Sequence, residues 1–246
     1  MKSTLQTLAK HQLPSGQFPT LVTNERDDIR INVHTVTPTY LICLILDQLR
    51  ELGDSHPLID NIIKKGLAFL STVCYRDPIT GLRVWHFNAF YQPDWEETAL
   101  CSYLLYRSGF LTRKDITPLR DLAFCNETSD RGVGVWLKDP YSLDNGCRNA
   151  FDPVVSLAVG EFLYRVFGES SGPTNQYIEM SITKDVGSLY YTKSFRDFFF
   201  FLFGKIKKPL ILAHDQYRLF HNSTRADVWY SSRDVWEAAE FAMMLQ

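Results

Sequence analysis

Apolar residues recur at helical spacing along most of the chain, in blocks separated by turns that carry glycine and proline. Residues 38–53 open on Pro38, place Leu41, Ile42, Leu44, Ile45, Leu46 and Leu49 at helical positions, and stop at Gly53. Residues 57–74 repeat the pattern with Ile59, Ile62, Ile63, Leu67, Phe69 and Leu70. Further helices are predicted over 93–108, 117–126 and 152–167, and then over 174–183, 193–206, 208–221 and 226–245. No stretch sustains the two-residue alternation of a strand for more than three or four residues, so the expected class is all-α.

The segments between these helices resemble one another. Gly81-Leu82-Arg83-Val84-Trp85 and Gly132-Val133-Gly134-Val135-Trp136 share a Gly-x-x-x-Trp pattern 51 residues apart, with Gly16-Gln17-Phe18-Pro19 as a looser relative. Each precedes a helix that opens on proline, at Pro38, Pro93 and Pro153. Weaker echoes follow at Gly187-Ser188-Leu189-Tyr190-Tyr191 and at Trp229-Tyr230 before Trp236. One such unit cannot bury its own apolar face, so a recurrence of about fifty residues implies stacked helix pairs. Degenerate repeats in a chain of 246 residues fit a closed ring of helix pairs, an α/α toroid, better than an open solenoid. With no linker-like stretch or break in composition, one domain over 1–246 is expected.

Composition narrows the function. A net charge of −2 and 22% charged residues show no basic excess, which argues against nucleic acid as a partner. The basic run at Lys205, Lys207 and Lys208 follows an apolar helix, where cations complement the helix dipole. Cys43, Cys74, Cys101, Cys125 and Cys147 form no close pair, which argues against a disulfide framework or a zinc ribbon and suits a reduced, cytoplasmic setting. The N-terminus has no uninterrupted apolar stretch, and the longest apolar run, Phe198–Phe203, is too short to span a bilayer. Aromatic residues make up 14% of the chain. They read either as core filler or as the lining of a cavity suited to a small apolar or cationic guest.

One constellation carries chemical content. Asp94-Trp95-Glu96-Glu97-Thr98-Ala99 opens the second proline-started helix, where its siblings carry Thr39-Tyr40 and Val154-Val155. Carboxylates belong at a helix start for structural reasons alone. Crowded into an apolar interior, they would repel one another until one stayed protonated, giving a Brønsted acid suited to an alkene or epoxide.

Here the chain resembles the terpenoid cyclase and protein prenyltransferase superfamily of α/α toroids. The acid motif of its squalene–hopene and class II terpene cyclases reads Asp-x-Asp-Asp-Thr-Ala, and this chain matches it in spacing with two positions lengthened to Glu. The resemblance implies cyclisation of an isoprenoid-like substrate, an isomerase or lyase chemistry started by protonation without a metal or cofactor. Glu96 would be the acid, Asp94 and Glu97 its partners, and Trp85, Trp136 and Tyr191 wall residues. Those cyclases pair two helical barrels, which leaves room for a second subunit or partner protein.

Other readings stay open. A non-catalytic toroid could use its cavity or rim for a ligand or a partner. The same ring could host a hydrolase with two opposed carboxylates. A zinc site of the prenyltransferase kind could draw on Asp144, Cys147 and His214 or His221, although nothing in their spacing fixes it. Asp27-Asp28 reads as a solvated loop, and the remaining histidines are scattered.

Overall fold

A computed structural model describes residues 2–24, 29–33, 35–53, 55–78, 80–87, 92–137, 149–191 and 193–205. The expected helices at 208–221 and 226–245, together with Asp27-Asp28, Asp144, Cys147, His214 and His221, lie outside the described residues. The described chain is mostly helical, as the apolar spacing predicts, with three two-stranded antiparallel hairpins as its only sheets. It divides into two compact units, one described from Lys2 to Val73 and one from Cys74 to Lys205.

The first unit runs α1 (Lys2–His11), β1 (Thr20–Asn24), β2 (Ile29–Val33), α2 (Thr37–Glu51) and α3 (Pro57–Thr72). The hairpin pairs Thr20 with Val33 through to Asn24 with Ile29, longer than the alternation had suggested. Helix α2 carries Pro38 in its first turn and is buried on every side from Thr37 to Leu46. Helix α3 is amphipathic: Ile59, Ile62, Ile63, Gly66, Leu67 and Leu70 are buried, while Asp60, Lys64 and Lys65 are exposed. The two helices approach closely at Gly66, where a Cβ would stand 2.4 Å from the Cys43 sulfur. Helix α1 was not expected; Leu5 and Leu8 are its buried anchors. The Gln12 amide closes its end by donating to the Gly16 and Ile62 carbonyls, each at 3.0 Å.

The second unit runs β3 (Tyr75–Arg76), β4 (Arg83–Val84), α4 (Trp95–Arg107), α5 (Arg113–Cys125), β5 (Glu127–Thr128), β6 (Gly132–Val133), α6 (Pro153–Phe162), α7 (Gly172–Thr183) and α8 (Lys193–Leu202). Helices α4 and α6 pack on each other and are buried nearly all round. Helices α5 and α7 bury single stripes, Ile116, Leu119 and Ala123 in one and Thr174, Tyr177, Ile178 and Ser181 in the other. Each unit thus holds both an apolar helix buried all round and an amphipathic helix covering it on one face.

Three helix ends differ from expectation. Helix α5 starts at Arg113 instead of 117, because Thr112 and Asp115 form a reciprocal capping box and Pro118 is accommodated inside the helix. The expected 152–167 helix widens after Phe162 into a π-turn, Leu163–Phe167, and ends on Gly168 at φ +70°. Helix α8 stops at Leu202, with Gly204 just beyond it at φ +69°.

Candidate acid site at the start of helix α4

The start of α4 is held by a neighbouring repeat. The Gly132–Trp136 segment lies between the openings of α4 and α6: Trp95 donates its amide to the Val135 carbonyl at 2.8 Å, and Val135 donates to Ala150 at 2.8 Å. Leu137 donates to the Pro93 carbonyl at 3.2 Å. Asn149 clamps the segment from the side, its Oδ1 accepting from the Trp136 amide at 2.9 Å and its Nδ2 donating to the Trp136 carbonyl at 3.0 Å. Glycine at 134 leaves room for this clamp, since a Cβ there would stand 2.5 Å from the Asn149 amide nitrogen and push it aside.

Three carboxyls occupy this helix start, and all are buried: Asp94 is 4% exposed, Glu96 3% and Glu97 3%. Asp94 is the N-cap, its Oδ1 accepting from the Glu97 amide at 3.0 Å. Loss of solvent pushes the Asp94 carboxyl up to about 6, and the negative charge of Glu96 adds to that. A hydrogen bond between the Asp94 and Glu97 side chains opposes the rise. That bond favours the ionised form of Asp94.

Glu96 faces a different partner. The Tyr191 hydroxyl lies 2.6 Å from both of its carboxyl oxygens and donates to them. Tyr191 stacks on Phe195 with ring centroids 4.6 Å apart, and Phe199 and Phe203 continue the aromatic ladder along α8. At the far end of that ladder the Arg165 guanidinium lies over Phe203 and over Tyr103 of α4.

The two tryptophans enter through their backbones. Fully buried Trp85 donates its amide to Thr98 Oγ1 at 3.1 Å and accepts from the same hydroxyl at 3.3 Å, which gives the threonine of the acid motif a structural task. Half-buried Trp136 pairs in strand fashion with Asp94. Glu96 and Tyr191 are therefore brought together, Asp94 and Glu97 are paired, and Trp85 and Trp136 brace the helix start that carries them.

Sequence reasoning overlooked Asp152, the N-cap of α6. It is wholly buried, and its Oδ2 accepts from Ser188 Oγ and from the Leu189 amide, each at 2.6 Å. Burial raises its carboxyl above the usual range. The available signal was an aspartate at a proline-started helix opening, the place Asp94 holds one repeat earlier. Among the described residues, no cluster of histidine, cysteine and carboxylate side chains is arranged to hold a metal.

No family model matches the sequence, and no curated protein matches it. Among solved structures, the chain is similar to the apo form of the type II terpene cyclase MstE from Scytonema, with a TM-score of 0.49 and 13% identity, over 99% of this chain and 76% of that one. No helix among the described residues is long and apolar enough to cross a membrane.

Proposed function

We propose that the chain is a single-domain helical cyclase in which Glu96 protonates an apolar, isoprenoid-like substrate and so starts its cyclisation. The observation that carries the reading is Glu96 itself: a glutamate 3% exposed, at the positive end of a helix, with a phenol oxygen 2.6 Å from both carboxyl oxygens. Beside Glu96 lies Asp94, whose carboxyl is raised by burial to about 6. Aromatic faces along α8 suit a carbocation once the proton has left, because ring quadrupoles attract cations.

Atoms and charge balance simply. The Glu96 O–H breaks, a substrate alkene takes the proton on one carbon, and the neighbouring carbon becomes the cation that the next double bond attacks. Final loss of a proton from carbon returns the charge balance with no oxidant and no metal. The test is incubation with linear isoprenoids of graded length, with cyclised products read by gas chromatography and mass spectrometry. Glu96→Gln, which keeps shape and removes the acid, abolishes product formation; full turnover in that variant would sink the mechanism.

A non-catalytic helical domain is the second reading, and one observation favours it. Asp94 already caps α4, so part of the acidic cluster has a structural use that needs no substrate. On that reading, replacing Asp94, Glu96 and Glu97 together lowers stability and leaves ligand binding unchanged.

A further inference from the structure

We propose that Asp152 is a positioning residue that holds Tyr191 against Glu96 through the Ser188–Tyr191 turn; this rests on the reading of Glu96 as the acid. Tyr191 and Glu96 are 95 residues apart in sequence, and a bond over that distance needs the intervening chain to be fixed. The turn that delivers Tyr191 is held at its Tyr191 end by stacking on Phe195 and Phe199, while Leu189 is 63% exposed and Tyr190 44%. Its remaining fixed points are polar. Asp152 accepts from Ser188 Oγ and the Leu189 amide at 2.6 Å each, while its other oxygen accepts from the Val154 amide at 2.8 Å and anchors it to α6. The Ser188 oxygen in turn accepts from the Tyr190 amide at 3.2 Å and the Tyr191 amide at 3.0 Å.

A continuous path therefore runs from the start of α6, through one carboxylate and one hydroxyl, to the phenol that grips Glu96. The starts of α6 and α4 are themselves laced together by Val135, so both ends of the path share one rigid base. A buried carboxylate costs free energy unless its hydrogen bonds return it, and Asp152 directs one oxygen to Ser188 and Leu189 of this turn. An N-cap alone would need only the backbone amides of its own helix start.

The experiment uses the full chain with isotope-labelled tyrosine and infrared detection of the phenol C–O stretch, the Tyr191 band being assigned by its disappearance in Tyr191→Phe. Glu96→Gln defines the signature of a phenol that has lost its carboxyl partner. Ser188→Ala and Asp152→Asn are expected to move the Tyr191 band to that same position, and Ser188→Thr, which restores the hydroxyl, to return it to the wild-type position. Ser188→Ala lies in a partly exposed turn, so it stays informative should Asp152→Asn fail to fold. A wild-type Tyr191 band in Ser188→Ala, or a band that Glu96→Gln does not move, overturns the proposal. Turnover of isoprenoids is scored separately: product formed by Glu96→Gln, with the band shifts as expected, would remove the cyclase reading and leave the positioning role standing.

Discussion

Replacing Asp94 by asparagine keeps a good N-cap and removes one ionisable group from the buried cluster. The ordinary aspartate value is 3.8, and burial in the folded chain brings Asp94 to about 6. The folded state therefore holds this proton more tightly than the unfolded state does. The resulting stabilisation is complete below 3.8 and is lost as the pH rises through about 6. A difference of roughly two pH units corresponds to about 3 kcal/mol. Asp94 is almost fully buried, so solvent screens little of this, although its coupling to Glu96 and Glu97 makes the loss a property of the cluster. Asparagine has no proton to lose. Urea unfolding at a series of pH values from acid to alkaline, extrapolated to water, should show Asp94→Asn gaining on the parent by up to about 3 kcal/mol between the two ends. Stability curves that run parallel across the range would refute the assignment of a raised, buried carboxyl at 94.

Three further variants test the frame that holds the site. Gly132→Ala combines a left-handed φ of +69° with a new Cβ 3.1 Å from Ser156 Oγ and 3.3 Å from the Thr174 Cα, so a loss of about 2–4 kcal/mol is expected in urea unfolding. Gly81→Ala has φ +71° but nothing within 4 Å, so it should lose only about 1–2 kcal/mol, and equal losses would deny the packing role of Gly132. Thr98→Val keeps the shape and deletes both hydrogen bonds to the Trp85 backbone, for an expected cost of about 1–3 kcal/mol by thermal or urea unfolding. A variant as stable as the parent would show that Thr98 does not hold the hairpin to α4.

The sequence was most legible where the physics is local. Helices α2, α3 and α6 follow from proline starts and apolar spacing, whereas α4 starts at Trp95 on its Asp94 cap and leaves Pro93 outside the helix. Gly81 and Gly132, matched in sequence, both take a left-handed φ, +71° and +69°. Helix α1 escaped notice because Leu5 and Leu8 alone carry its buried face in an otherwise polar segment. Helix α5 begins four residues ahead of the expected 117, because the Thr112–Asp115 box starts it and Pro118 is accommodated inside. The acidic cluster stood out by residue type alone. Its pairing was not legible: Tyr191 reaches Glu96 through tertiary packing, and no local pattern encodes a contact across 95 residues. Asp152 was hidden for a similar reason, because its cap is local and its grip on Ser188 and Leu189 is not.

The lacing of α4 by Val135 has a consequence for the order in which the chain can be built. During synthesis Trp95 leaves the ribosome forty residues ahead of the carbonyl that will accept its amide proton. At about 5–20 residues per second, that is a wait of roughly 2–8 seconds. Throughout it, the helix start that carries the three acids has its brace from Trp85 but not the one from Val135. The start of α4 is therefore completed by a segment translated after it. A nascent chain truncated before residue 135 would carry every acid of the motif and still lack the Val135 brace on their helix start.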